Sequence, residues 1–166
     1  MLRLHVVGRK NSGKTTLIVD LVRELTARGL KVGTIKHTHH HHELDTPGKD
    51  SFQHREAGAT AVGIVSPRMD AVFRPRDPRE PDADRYAAMA TVFADCDLVL
   101  VEGDSQTNAP KVEVWRAAAT EAPISANDDA VIAIITDDNV EVSTPVWPRS
   151  NITALASRLQ EMSTAL

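Results

Sequence analysis

The residues best placed to do chemistry lie close to the start of the chain. Gly8-Arg9-Lys10-Asn11-Ser12-Gly13-Lys14-Thr15 fits the pattern G-x-x-x-x-G-K-[ST], in which every fixed position has a mechanical reason. The glycines let the backbone curl until successive N–H groups point at a phosphate, and a helix starting there adds the positive end of its dipole. The Lys14 ammonium is expected against the β- and γ-phosphates and the Thr15 hydroxyl on a Mg²⁺ ion, with Thr16 capping or packing at the helix start. Gly8, Arg9, Lys10, Asn11, Ser12, Gly13, Lys14, Thr15 and Thr16 are therefore the expected nucleotide-phosphate site.

A phosphate-bound Mg²⁺ needs a carboxylate from the end of a neighbouring strand. Glu102 follows the apolar run Leu98 to Val101, and Gly103 behind it lets backbone come close to a nucleotide. Asp97 precedes the same run, at the wrong end of a parallel strand, and reads as a cap or turn residue. Asp50 follows an aperiodic stretch, where a switch segment would lie. It is expected to hold the metal's water or orient an attacking water, which would make it the catalytic residue, and it is equally placed to cap a short helix. Lys36-His37 closes the second strand and is expected to face phosphate or ligand. The run His37-Thr38-His39-His40-His41-His42 invites a transition metal. Consecutive imidazoles do not preorganise a shell, and no Cys or paired His elsewhere completes one, so weak adventitious binding is the expectation for His39 to His42.

These residues need a frame. Leu2, Leu4, Val6 and Val7 read as a strand running into Gly8, and Leu17, Ile18, Leu21, Val22 and Leu25 recur at helical spacing behind Lys14. Gly29 sits where a helix ends in the left-handed conformation, and Lys31 to Lys36 reads as the next strand, which makes a βαβ unit. Asp50-Ser51 would cap a helix ending near Gly58, and Ala61 to Val65 reads as a buried strand. Arg74 to Pro81, with its three prolines and five charges, is a surface loop. Tyr86, Met89, Ala90 and Phe93 suggest a further helix. Leu98 to Val101, Val112 to Trp115 and Val131 to Ile135 suggest strands, and Ile152, Leu155, Leu159 and Met162 a last helix capped by Ser150 or Asn151. Apolar strands alternating with helices indicate an α/β domain of P-loop NTPase type, a largely parallel sheet with helices on both faces.

Composition narrows the function. At 166 residues the chain is long enough for one domain and too short for two independent cores. A formal charge of -4 and 4% aromatic residues leave neither an electrostatic footprint nor stacking platforms for nucleic acid. The longest apolar run, Ala130 to Ile135, is far below the roughly 18 residues of a membrane helix, and Met1 to Val7 lacks a signal-peptide layout. One cysteine, Cys96, fits a reducing, cytoplasmic setting and reads as a small core residue.

Several blocks together resemble a known family. Gly8 to Thr15, Gly33-Thr34-Ile35-Lys36-His37, Asp45-Thr46-Pro47-Gly48-Lys49-Asp50-Ser51, Arg55-Glu56-Ala57-Gly58-Ala59, Val101-Glu102-Gly103 and Pro110-Lys111-Val112-Glu113-Val114 are similar in order and spacing to the molybdopterin-guanine dinucleotide biosynthesis protein B (MobB) family over residues 4 to 136. The resemblance implies a GTP-binding homodimer that uses Mg²⁺. It further implies an adaptor, at most a slow GTPase, that assists a partner guanylyltransferase of MobA type in attaching GMP to molybdopterin. Asp104-Ser105 stands where the family commonly has an aromatic or apolar residue and a lysine. No N-K-x-D motif reads the base, so Asp137, after Thr136 at the end of a late strand, is the nearest candidate for guanine recognition. Two rival functions share the phosphate loop. One is a small-molecule kinase with Arg74, Arg76, Arg79 and Arg85 as a lid; the other is a GTP-dependent nickel-delivery protein, supported by the histidines alone.

Overall fold

The computed structural model describes residues 2–39, 43–76, 86–119 and 121–164. In chain order the elements are β1 (Leu2–Val7), α1 (Lys14–Ala27), β2 (Val32–Lys36), α2 (Asp50–Glu56), β3 (Val62–Val65), β4 (Asp70–Phe73), β5 (Leu98–Glu102), β6 (Lys111–Val114), β7 (Val131–Ile135), β8 (Val146–Trp147) and α3 (Ile152–Thr164). Short 3-10 helices lie at Ala87–Met89 and Ile124–Asn127. The chain gathers into two compact units, one of Met1–Thr38 with Met89–Leu166 and one of His39–Ala88.

The larger unit is built on a six-stranded sheet in the order β2-β5-β1-β6-β7-β8, with every pairing parallel. Strand β5 inserts between β1 and β2, so the first βαβ unit skips a position. Alternate residues of each strand point to opposite faces. On one face Leu4, Val6, Leu98, Leu100, Val112, Val114, Ala133 and Ile135 form a single core with Leu17, Leu21 and Leu25 of α1 and Leu155, Ala156 and Leu159 of α3. Each fully buried leucine there contributes about 2 kcal/mol of transfer free energy. The other face carries Val99 and Val101, both buried. At Gly33 a side chain would run into the Phe93 ring, 2.8 Å from Cε1, and Cys96 Sγ lies 3.1 Å from the same point, which gives the cysteine a packing role. The 3-10 helix Ile124–Asn127 hangs from Glu113 by the N–H groups of Ile124 and Ser125. Helical segments therefore cover both faces, α-helices on one and a 3-10 turn on the other.

Helix ends follow their local chemistry. Gly29, at φ 88, lets its own N–H reach Thr26 O and the Leu30 N–H reach Leu25 O, the paired bonds that close a helix through a left-handed residue. Asn151 Oδ1 accepts the Ala154 N–H and caps α3 as expected. Arg28 ties the two helices together, donating to Glu24 Oε1, Ser157 Oγ and the Thr153 carbonyl. Asp97 is indeed a turn residue, accepting the Lys31 N–H at 2.8 Å.

In the smaller unit β3 pairs antiparallel with β4 as a separate two-stranded sheet, joined through a turn in which Ser66 N–H reaches the Met69 carbonyl. This corrects two expectations. Ala61 to Val65 is not a buried sheet strand: Val62 alone is buried, and Val65 is 86% exposed. A run of four or five apolar residues reads the same in a hairpin as in a parallel core. The helix expected over Tyr86 to Phe93 is only the 3-10 turn Ala87–Met89 followed by further turns, although Tyr86 is buried. Arg79 and Arg85 of the supposed lid lie outside the described residues, and Arg74 and Arg76 are exposed without regular structure. Among the described residues no helix is long and apolar enough to cross a membrane.

Candidate functional site

The phosphate loop takes the shape its sequence requires. Gly8 and Gly13 adopt φ 142 and 97, and Asn11 is left-handed at φ 63. A Cβ on Gly8 would fall on the Val114 carbonyl oxygen and come within 2.9 Å of Ser12 Oγ, so β6 packs directly on the loop. Gly13 is the residue that opens α1, and no side chain caps it, which leaves the helix's first N–H groups turned to the loop. Lys14 Nζ donates to the Gly8 and Arg9 carbonyls at 2.8 and 2.7 Å. Burial pulls its ammonium below the ordinary value, with the Glu102 charge opposing that shift. Arg9 pairs with Glu121 at 2.7 Å, while Lys10, Asn11 and Thr16 are exposed.

The metal-side residues meet across the sheet. Because β5 is the neighbour of β1, Glu102 stands level with Val6, two residues before the loop begins. Thr15 Oγ1 donates to Glu102 Oε1 at 2.9 Å, joining two residues 87 positions apart. Glu102 is also level with Lys36 of β2, and its carbonyl accepts the His37 N–H at 2.9 Å. Thr15, Lys36 and Glu102 line one open groove of about 420 Å³ with Ile18, Val19 and Thr34. Gly103, at φ 94, donates its N–H to the Val6 carbonyl and turns the chain behind Glu102, where a Cβ would lie 3.1 Å from the His37 carbonyl.

The donor set fits a nucleoside polyphosphate and its metal. Ser12 Oγ is buried inside the loop with no partner among the described residues, a polar atom that a phosphate oxygen would satisfy. A threonine hydroxyl beside a carboxylate is the hard-oxygen pair that Mg²⁺ takes alongside phosphate.

The other expected residues have their own local settings. Asp50 is the first residue of α2 in the smaller unit and is exposed; the helix starts at Asp50 itself, so the cap position falls to Lys49, which makes no side-chain cap. The carboxylate the sequence reading missed there is Asp45, buried, whose Oδ1 accepts the Thr46 N–H and the Ser51 hydroxyl. Asp137 Oδ1 accepts both the backbone N–H and the hydroxyl of Ser150, and these bonds hold its carboxyl below the usual range. Two buried charges of β6 also escaped notice. Lys111 Nζ reaches Asp128 Oδ2 at 2.6 Å and the Ser105 carbonyl, and Glu113 carries the 3-10 helix; both brace loops. His39 is exposed, His40 to His42 lie outside the described residues, and no group of three or more His, Cys, Asp or Glu side chains gathers among the described residues.

A parallel sheet with this loop between β1 and α1, and an acid at the end of the adjoining strand, defines a domain of P-loop NTPase type. The chain belongs to the MobB family: the family model for molybdopterin guanine dinucleotide synthesis protein B matches residues 3–137. It is 34% identical to the molybdopterin-guanine dinucleotide biosynthesis adapter protein of Haemophilus influenzae over 95% of this chain and 86% of that protein. It is also 34% identical to the adapter protein of Escherichia coli over 90% and 86%. Among solved structures, that of Bacillus subtilis MobB superposes with a TM-score of 0.71 at 26% identity, covering 96% of this chain and 97% of that one.

Proposed function

We propose that this protein is a GTP-binding adapter in molybdopterin-guanine dinucleotide biosynthesis, assisting a partner guanylyltransferase that attaches GMP to molybdopterin. The observation that carries the reading is the hydrogen bond from Thr15 to Glu102, which joins the end of the phosphate loop to the acid of the adjoining strand. The loop N–H groups, Lys14 and Ser12 would bind the phosphates, with Lys36 and Gly103 bordering them. Thr15 and Glu102 would hold Mg²⁺, which neutralises phosphate charge when bound. Asp50 is proposed to hold the metal's water, and Asp137 to accept from the guanine ring through the oxygen that Ser150 leaves. The family's adaptor role, slow turnover, homodimer and cytoplasmic setting complete the proposal. Its support is the match to the family model and the 34% identity to two adapter proteins.

The test has two arms. Calorimetry with GTP, GDP and ATP, with and without Mg²⁺, separates base preference from phosphate binding. Lys14→Ala should abolish GTP binding in a folded protein. Mixing the chain with the guanylyltransferase, Mg-GTP and molybdopterin should raise dinucleotide yield and give co-elution. Unchanged yield and no complex, with several turnovers per second on a small-molecule acceptor, would replace the adapter by a kinase.

A further inference from the structure

Beyond β6 the chain bends over the phosphate loop and lays a second arginine on it. A Cβ at Gly13 would lie 3.1 Å from Arg116 Nη2, 3.6 Å from Cζ and 3.7 Å from Nε, so the flat guanidinium rests against the backbone where α1 begins. The turn that presents it is braced: Ala117 N–H donates to Asp138 Oδ2 at 2.7 Å, Asp138 N–H to Thr136 Oγ1, and Trp115 N–H to the Ile135 carbonyl. Glu121, further along the same loop, pairs with Arg9.

Arg116 is exposed to solvent beside the start of α1. A helix N-terminus repels positive charge, and Lys14 stands beside it. Arg9, Arg28, Arg55 and Arg149 are each paired with a carboxylate, whereas Arg116 has no ion pair or side-chain hydrogen bond among the described residues. An uncompensated fork of donors, carried on a braced turn and resting at an anion-binding loop, fits a polyphosphate, which would pair with it in the two-pronged way guanidinium favours.

We propose that Arg116 is a phosphate-binding residue of the nucleotide site, reaching over the loop within the same chain to pair with the nucleotide's polyphosphate. The proposal rests on reading Gly8 to Thr15 as that site. Guanidinium rather than ammonium matters here, because two parallel donors can hold two phosphate oxygens at once.

The experiment measures binding of GTP and of inorganic triphosphate, which has no base or ribose, to the unmodified protein, Arg116→Gln, Arg116→Lys and Lys14→Ala. Arg116→Gln keeps the stem and removes the charge. It should weaken both ligands by the same factor, about ten- to a hundredfold, as expected for one or two charge-assisted hydrogen bonds. Arg116→Lys should restore part of the loss. The unliganded melting temperature should stay level or rise, since a cation leaves a helix N-terminus. Affinities within twofold of the unmodified protein, in a preparation where Lys14→Ala abolishes binding, would overturn the assignment. So would a loss for GTP with none for triphosphate, which would put the arginine on base or ribose. If the unmodified protein bound neither ligand, the phosphate-site reading would fall and take this assignment with it.

Discussion

Replacing Gly8 and Gly29 by alanine, one at a time, separates two reasons for a glycine. Both have positive φ, 142 and 88. A Cβ at Gly29 meets nothing within 4 Å, whereas one at Gly8 falls on the Val114 carbonyl oxygen. Gly29→Ala should therefore cost only the left-handed backbone, about 1–2 kcal/mol. Gly8→Ala carries a backbone penalty of about 1–3 kcal/mol, and the overlap with β6 adds about 1–3 kcal/mol, as overpacking does. The sum is roughly 2–6 kcal/mol. For a chain of this size each kcal/mol moves the melting temperature by about 2–4 °C. A fall near 4 °C is expected for Gly29→Ala and one near 12 °C for Gly8→Ala. Calorimetric or circular-dichroism melting without ligand measures both, and GTP titration of the folded fraction should show weaker binding for Gly8→Ala alone. Equal melting temperatures for the two variants would refute the claim that β6 packing, rather than φ alone, demands glycine in the loop.

Further outcomes are expected. Glu102→Gln and Asp50→Asn should each weaken GTP binding more in the presence of Mg²⁺ than in its absence, measured by calorimetry; equal losses in both conditions would remove the carboxylate from the metal. His5 is fully buried, and burial lowers its pKa below 6.5. The unfolded chain then takes up a proton that the folded one resists, so its contribution is fully present above pH 6.5 and fades as pH falls through the folded value. Unfolding by denaturant at pH 7.5 and 5.5 should show this loss, and His5→Gln should show a smaller one; a pH dependence unchanged by the substitution would assign it to other groups. Replacing His39 to His42 together should leave GTP affinity unaltered and remove only weak Ni²⁺ or Zn²⁺ binding, whereas a submicromolar one-to-one metal site would revive the metal-delivery reading.

Much of the site was legible because its parts are contiguous. Gly8 to Thr15 form a strand exit, a loop and a helix entry whose geometry depends on neighbouring residues, and glycine conformations and N–H directions are local properties. The same holds for Gly29 behind α1 and Asn151 before α3. Glu102 was placed from its position at the end of an apolar run, which needs only the direction of the strand.

What local pattern could not reach is partnership between distant residues. That Thr15 donates to Glu102 depends on β5 lying beside β1, and the order of parallel strands leaves no mark on apolar periodicity, since each buried strand reads alike. Ala61 to Val65 was misread for that reason: its partner β4 is a neighbour in sequence, and nothing in four apolar residues tells a hairpin from a sheet interior. Nothing in the local pattern marks Lys111, Glu113 and Asp45 as buried, because a buried charge is tolerated only through partners such as Asp128, Ile124 and Ser51. The sequence by itself determined the phosphate loop and the α/β class. Tertiary structure decided which acid meets it and which arginine lies against it, since one ends β5 and the other follows β6, the two strands that only the packed sheet sets on either side of β1.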